Sequence, residues 1–168
     1  MHRLLRRPTL IVATLALLAF GAAGCAQRSS AGGGGGASPV SRDLLAQVNA
    51  QRNAAGVPGL YWCPPLEHSA QAHSDDQAIH NAMSHTGSDG SSVDQRDEGA
   101  GYIGWTAIGE NVAYGARSAS EVMALWMNSP DHRANILSGA YTHFGGGIGW
   151  AADGTTYWTQ DFGASGSC

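Results

Sequence analysis

The chain contains no lysine: its 168 residues carry nine arginines against thirteen aspartates and glutamates, a formal net charge of −4 with histidine neutral. With no basic patch, nucleic acid and anionic membrane surfaces are excluded as electrostatic partners. No HExxH occurs, which argues against a zincin. No GxSxG occurs, and neither Cys63 nor Cys168 stands beside a histidine, so a nucleophilic hydrolase has no support. Phosphate loops and dinucleotide fingerprints are missing. The acidic stretch with Asp89, Asp94, Asp97 and Glu98 lacks calcium-loop spacing. No internal repeat is visible, and no uncharged apolar run reaches the roughly 20 residues of a spanning helix.

What is present begins with an export signal. Arg3, Arg6 and Arg7 precede an apolar stretch from Thr9 to Phe20, and Ala22-Ala23-Gly24 lead to Cys25. Positive start, apolar centre and small-residue exit predict a signal peptide over 1–24. Small residues followed directly by cysteine resemble the lipobox of bacterial lipoproteins. The resemblance implies that Cys25 is acylated and holds the protein on a membrane. Residues 25–40 include five consecutive glycines flanked by Ser and Ala, a composition that buries nothing and behaves as a flexible tether. The remainder, 41–168, is of a length for one domain. Without the signal, six arginines face thirteen acids, a charge of about −7.

With Cys25 acylated, Cys63 and Cys168 remain. An even pair in an exported protein predicts a disulfide, worth about 2–4 kcal/mol for so long a loop. Two free thiols are the alternative.

Hydrophobic periodicity predicts a helix over 41–55, capped by Ser41, with Leu44, Leu45 and Val48 buried and Gly56 at its end. A second helix, entered through Pro64-Pro65, is expected from about Leu66 to Met83. A short, exposed acidic helix is expected over 92–99. Ser118 and Glu121 read as a capping box for a helix whose stripe is Val122, Leu125 and Trp126. Pro130 ends that helix at Ser129, which can cap a second turn containing His132. There the helix dipole favours a neutral imidazole. Two β-rich runs, 147–151 and 155–162, flank Asp153-Gly154 as a hairpin. Helices first and strands last give an α+β domain.

Five motifs stand in one order: VNAQRNAAGVPGLYW; SHTGSDG with His85; GENVAYG with Glu110; WMNSPDHRANIL with His132; and a closing YWTQDFG. Together they resemble the CAP superfamily, which groups cysteine-rich secretory proteins, antigen 5 and plant pathogenesis-related 1 proteins and is also called the SCP domain. The likeness is strongest to its bacterial branch and covers about Ser41 to Gly163. It implies a three-layer α–β–α sandwich around a central antiparallel sheet. It also implies a cleft faced by two histidines and two acids. His85, Glu110 and His132 match three of those positions, and the fourth falls on Ser129.

Two histidines and a glutamate can hold a divalent metal such as zinc with one position open, provided the three converge. Equally, a buried glutamate between two histidines can satisfy backbone. The expectation is therefore an envelope-anchored, non-enzymatic binding module whose cleft takes a lipid, glycan or protein. The alternative is a metal-dependent hydrolase using His85, His132 and Glu110, with Glu110 as ligand or base.

Overall fold

The computed structural model describes residues 36–168. The signal segment 1–24, the lipidation candidate Cys25 and most of the tether lie outside the described residues.

Helix α1 spans Pro39–Ala54 and starts two residues before the sequence suggests. Proline fixes a helical φ and lacks the N–H that a first turn leaves unpaired, so Pro39 opens the helix. Ser38 is the cap, its Oγ accepting the Ser41 N–H at 3.2 Å. Ser41, expected as the cap, is buried instead and accepts the Gly146 N–H at 3.3 Å. Leu44 and Val48 are fully buried. Gly56, at φ +73°, takes the left-handed conformation just beyond the helix.

Strand β1 (Tyr61–Trp62) leads into α2 (Pro64–His80), which stops at Asn81 in left-handed conformation. The short α3 (Val93–Gly99) carries a capping box between Ser92 and Gln95. Strand β2 (Ala107–Tyr114), helices α4 (Ala119–Asn128) and α5 (Pro130–Leu137), and the hairpin β3 (His143–Trp150) and β4 (Thr156–Ala164) complete the chain.

In α4 the Ser118 hydroxyl accepts the Glu121 N–H at 3.2 Å, whereas the Glu121 carboxylate accepts from Arg117, one residue further out than a capping box requires. The buried stripe is Ala119, Val122, Met123 and Trp126, at i, i+3, i+4 and i+7. Leu125 falls outside it and is 49% exposed. Ser129 begins α5, but its hydroxyl makes no capping hydrogen bond.

The four strands run in the order β1-β3-β4-β2. Both β3–β4 and β4–β2 are antiparallel, as expected, but β1 pairs parallel to β3, so the sheet is mixed. Helices α2 and α3 cover one face, and α1, α4 and α5 the other. This is the three-layer α+β sandwich. The glycines of β3 set the layer spacing. A Cβ on Gly145, Gly147 or Gly149 would overlap the backbone of α2, while one on Gly146 would meet Leu44 of α1. The strand alternation thus puts bare backbone under α2 and leaves room for side chains on the α1 side.

The main core lies on that second side and joins Leu44, Val48, Val122, Trp126, Ile136, Phe144, Trp158 and Phe162. Trp150, at the end of β3, is 62% exposed. Cys63 and Cys168 form a disulfide with Cα atoms 5.1 Å apart. No helix among the described residues is long and apolar enough to cross a membrane.

Candidate functional site

Glu110 sits mid-strand in β2, opposite Asp161 of β4, and is 7% exposed. Strand alternation turns it to the α2/α3 face, away from the apolar core. A carboxylate buried there needs partners. His85 Nδ1 lies 2.7 Å from Oε1, and Arg96 Nη2 donates to Oε2 at 2.6 Å. His73 Nε2 stands 3.7 Å from the same Oε2.

Each partner is positioned by its own element. His85 follows α2 in a loop tied down at three points. The Ser84 N–H donates to Gln77, the Ser84 carbonyl meets His73 Nε2 at 2.8 Å, and the Ser88 N–H donates to Asp76. Arg96 projects from α3 and also donates to the carbonyls of His85 and Ser91. The guanidinium therefore clamps both ends of the His85 loop while neutralising Glu110.

His132 enters from the opposite layer, in the first turn of α5. Its carbonyl accepts the Asn111 side-chain amide at 3.1 Å. The Asn135 amide bridges back to the Glu110 carbonyl and to Asn111 Oδ1. Asn111, next to Glu110 and facing the other way, is therefore the hinge that fixes α5 against β2. Arg133 is exposed and makes no side-chain hydrogen bond among the described residues.

The two imidazoles are electrostatically distinct. The hydrogen bond to Glu110 raises the His85 pKa, against a smaller opposing effect of burial. Burial lowers that of His132, helped by the nearby His85. His132 is thus neutral at pH 7, in the direction anticipated, with its partial burial favouring the uncharged ring. The His85 side chain is 59% exposed, so the pair presents one basic and one neutral imidazole at the surface above a buried carboxylate.

The residues do not fit a divalent metal held by His85, Glu110 and His132. Among the described residues their ligand atoms do not all come within 4.8 Å of one another. Both Glu110 oxygens are already engaged, one by a guanidinium that would repel a cation. Ser129, at the fourth position, is half-buried at the start of α5 and makes no side-chain hydrogen bond among the described residues.

Two residues at this carboxylate carry no sequence signal that points to it, Arg96 and His73. The shared helix face of Leu66, Ala70 and His73 signalled burial but not proximity to Glu110. Helix α3 is also less exposed than expected, because Asp97 is fully buried. Asp97 and Asp161 lie together beneath Glu110, beside Ser69. None of their four carboxyl oxygens, nor Ser69 Oγ, finds a hydrogen-bonding partner among the described residues. Ser69 is near enough to favour both ionised carboxyls, but not aligned for a hydrogen bond. Burial pushes Asp97 up to about 6 and raises Asp161 well above the usual carboxylate range. Ionised together the two would repel, so the protonation of one depends on that of the other.

A family model for the cysteine-rich secretory proteins, CAP, matches residues 45–162. The chain is 34% identical over 125 residues to YkwD of Bacillus subtilis, covering 74% of this chain and 47% of that one. It is 31% identical over 121 residues to the membrane protein YlbC of the same organism, covering 72% and 33%. Among solved structures, an extracellular protein containing a SCP domain from Bacillus anthracis superposes with TM-score 0.64 and 25% identity, over 77% of this chain and 44% of the other. An outer surface protein of Borrelia burgdorferi shares the fold, with TM-score 0.65 and 20% identity over 77% and 98%. The chain spans less than half the length of the two Bacillus subtilis relatives.

Proposed function

This chain belongs to the cysteine-rich secretory protein (CAP) family, and we propose that it is an extracytoplasmic binding module whose cleft takes a polar ligand. The observation that carries the reading is the state of Glu110. Its two oxygens are spent on His85 and Arg96. A carboxylate so engaged orients a half-exposed imidazole; it neither coordinates a metal nor abstracts a proton from substrate. The metal-dependent hydrolase therefore lacks its metal-bound water.

Of lipid, glycan and protein ligands, the chemistry of the cleft favours a glycan. His85 and His132 offer hydrogen-bond donors and acceptors rather than apolar wall, and hydroxyls match both. An extracellular place accords with the description of the Bacillus anthracis SCP-domain protein. Anchoring through an acylated Cys25 and the 25–40 tether belongs to the same proposal and rests on the sequence alone.

Titration calorimetry with soluble fragments of bacterial cell-wall glycan tests the ligand. Saturable heat in wild type, lost in His132→Ala and weakened in His85→Ala, is the expected result. Heat unchanged in both variants, or none at all in wild type, rejects the cleft as a glycan site. Zinc added during thermal melting separates the two mechanisms. A shift in the oxidised wild type that His132→Ala removes would restore the metal reading. Detergent-phase partitioning abolished by Cys25→Ala supports the anchor, and partitioning that persists refutes it.

A further inference from the structure

A different cluster lies at the opposite end of the sheet from the hairpin turn. Sγ of Cys63, Sγ of Cys168 and a ring nitrogen of His143 all come within 4.8 Å of one another. Three elements converge there. Cys63 is fully buried and is the residue before the first turn of α2. His143 opens β3, paired to Tyr61 on one side and Gly163 on the other. Cys168 is exposed in the irregular segment after β4.

His143 is held as a metal-ligating histidine usually is. Its Nδ1 meets the hydroxyl of the fully buried Tyr102 at 2.9 Å, and that hydroxyl also accepts the Gly166 N–H at 3.3 Å. A cation on Nε2 requires the tautomer in which Nδ1–H donates to the Tyr102 hydroxyl. A hydrogen-bonded partner that fixes the tautomer and ring orientation in this way is the usual outer shell of a histidine ligand.

We propose that this corner is a redox-gated site for a soft divalent cation such as zinc, closed while the disulfide stands and opened by a dithiol reductant. The exposed Cys168 sulfur is the one a reductant thiolate reaches. Attack there breaks the S–S bond, joins the reductant to Cys168 and releases Cys63 as thiolate. A thiolate at a helix N-terminus is a favoured leaving group. The second thiol of the reductant then displaces Cys168. Two electrons and two protons pass to the protein, and the reductant leaves as its own disulfide.

The cation then takes two thiolates and His143 Nε2, displacing the two thiol protons. Tetrahedral zinc needs ligand separations of roughly 3.5–3.8 Å, given Zn–S of about 2.3 Å and Zn–N of about 2.0–2.1 Å. The His143 nitrogen lies within 4.8 Å of both sulfurs; the sulfurs, bonded to each other in the disulfide, must part to reach that span, and Cys168 belongs to no helix or strand that would resist the movement. The disulfide links the start of α2 to the segment after β4; the cation would replace that covalent link with a coordinate one and add β3 through His143.

The test uses the full chain carrying Cys25→Ala, so that no third thiol competes. The protein is reduced anaerobically, freed of reductant and titrated with Co²⁺, then with Zn²⁺. One equivalent of Co²⁺ should produce a thiolate-to-cobalt charge-transfer band, absent from the oxidised protein, that Zn²⁺ bleaches. Tyr102→Phe should weaken the affinity about 10–100-fold, and His143→Ala more than that. If reduction alone unfolds the chain, Zn²⁺ should restore its circular dichroism, since metal binding then supplies folding free energy. No band and no recovery of structure would overturn the proposal, as would His143→Ala binding as tightly as the parent. Oxidised protein bound to metal through the cleft histidines gives no sulfur band, so the outcome is independent of the His85–His132 reading.

Discussion

Arg96 donates to Glu110 at 2.6 Å with both side chains nearly removed from solvent, 11% and 2% exposed. The pair joins α3 to the edge strand β2 and leaves His85 as the accessible member of the group. A buried pair of this kind stabilises chiefly by never being broken: each charge satisfies a partner that would otherwise be stranded.

Arg96→Met should therefore destabilise the domain by about 3–5 kcal/mol, read by chemical denaturation. The double variant Arg96→Met, Glu110→Gln removes both charges and should recover most of that loss. A double variant as unstable as the single one would show that Arg96 acts by packing its stem, not by neutralising Glu110.

The His85 imidazole should titrate above an ordinary histidine, and its NMR-measured pKa should fall when Glu110 is replaced by Gln. The raised pKa contributes stability below the unfolded value of about 6.5 that is lost as pH rises through the folded value. With the side chain more than half exposed, that contribution is small, so the pKa and not the melting point is the quantity to follow. An unchanged His85 titration in Glu110→Gln would remove the hydrogen bond from the account.

Asp97 and Asp161 give the opposite kind of prediction, on bulk stability. Both folded pKa values are raised, Asp97 to about 6, so the native state holds protons that the unfolded chain releases from about pH 4 upward. Their contribution is fully present below about pH 4 and is lost as pH rises through 6. Asp161→Asn keeps the shape without the charge. It should be more stable than wild type at pH 7 and should flatten the decline between about pH 4 and 7. Equal stabilities at pH 7 would mean that the two acids do not face each other.

Gly147→Ala tests the layer spacing. A Cβ there would overlap the backbone of Ala70 and Gln71 in α2. Overpacking of a closed interface costs about 1–3 kcal/mol, and here backbone rather than a mobile side chain must yield. Gly154→Ala, in the exposed turn at φ +87°, has open space around it and should cost only the strain of its conformation, on the order of 1 kcal/mol. Similar losses at both sites would contradict the tight approach of α2 to β3.

Local rules placed most elements correctly. The cap at Ser118, the break at Pro130, the turn at Asp153-Gly154 and the left-handed Gly56 each follow from backbone chemistry within a few residues. The misplaced features have local causes that a longer view resolves. Ser41 has the chemistry of a cap, but Pro39 starts the helix earlier and the hydroxyl goes to Gly146 on a strand a hundred residues away. Leu125 is apolar at helical spacing, yet the sheet lies on the Val122–Met123–Trp126 side.

The sequence by itself determined the family, the layered α+β class and the elements that carry His85, Glu110 and His132, because periodicity, caps and turn residues act at short range. Tertiary structure alone decided what those residues do. It put Arg96 and His73 against Glu110, paired Asp97 with Asp161, turned β1 parallel to β3 and set His143 beside the disulfide. The physical reason is that a charge or a ligand acquires its character from neighbours a few ångströms away, and in this fold those neighbours come from distant parts of the chain.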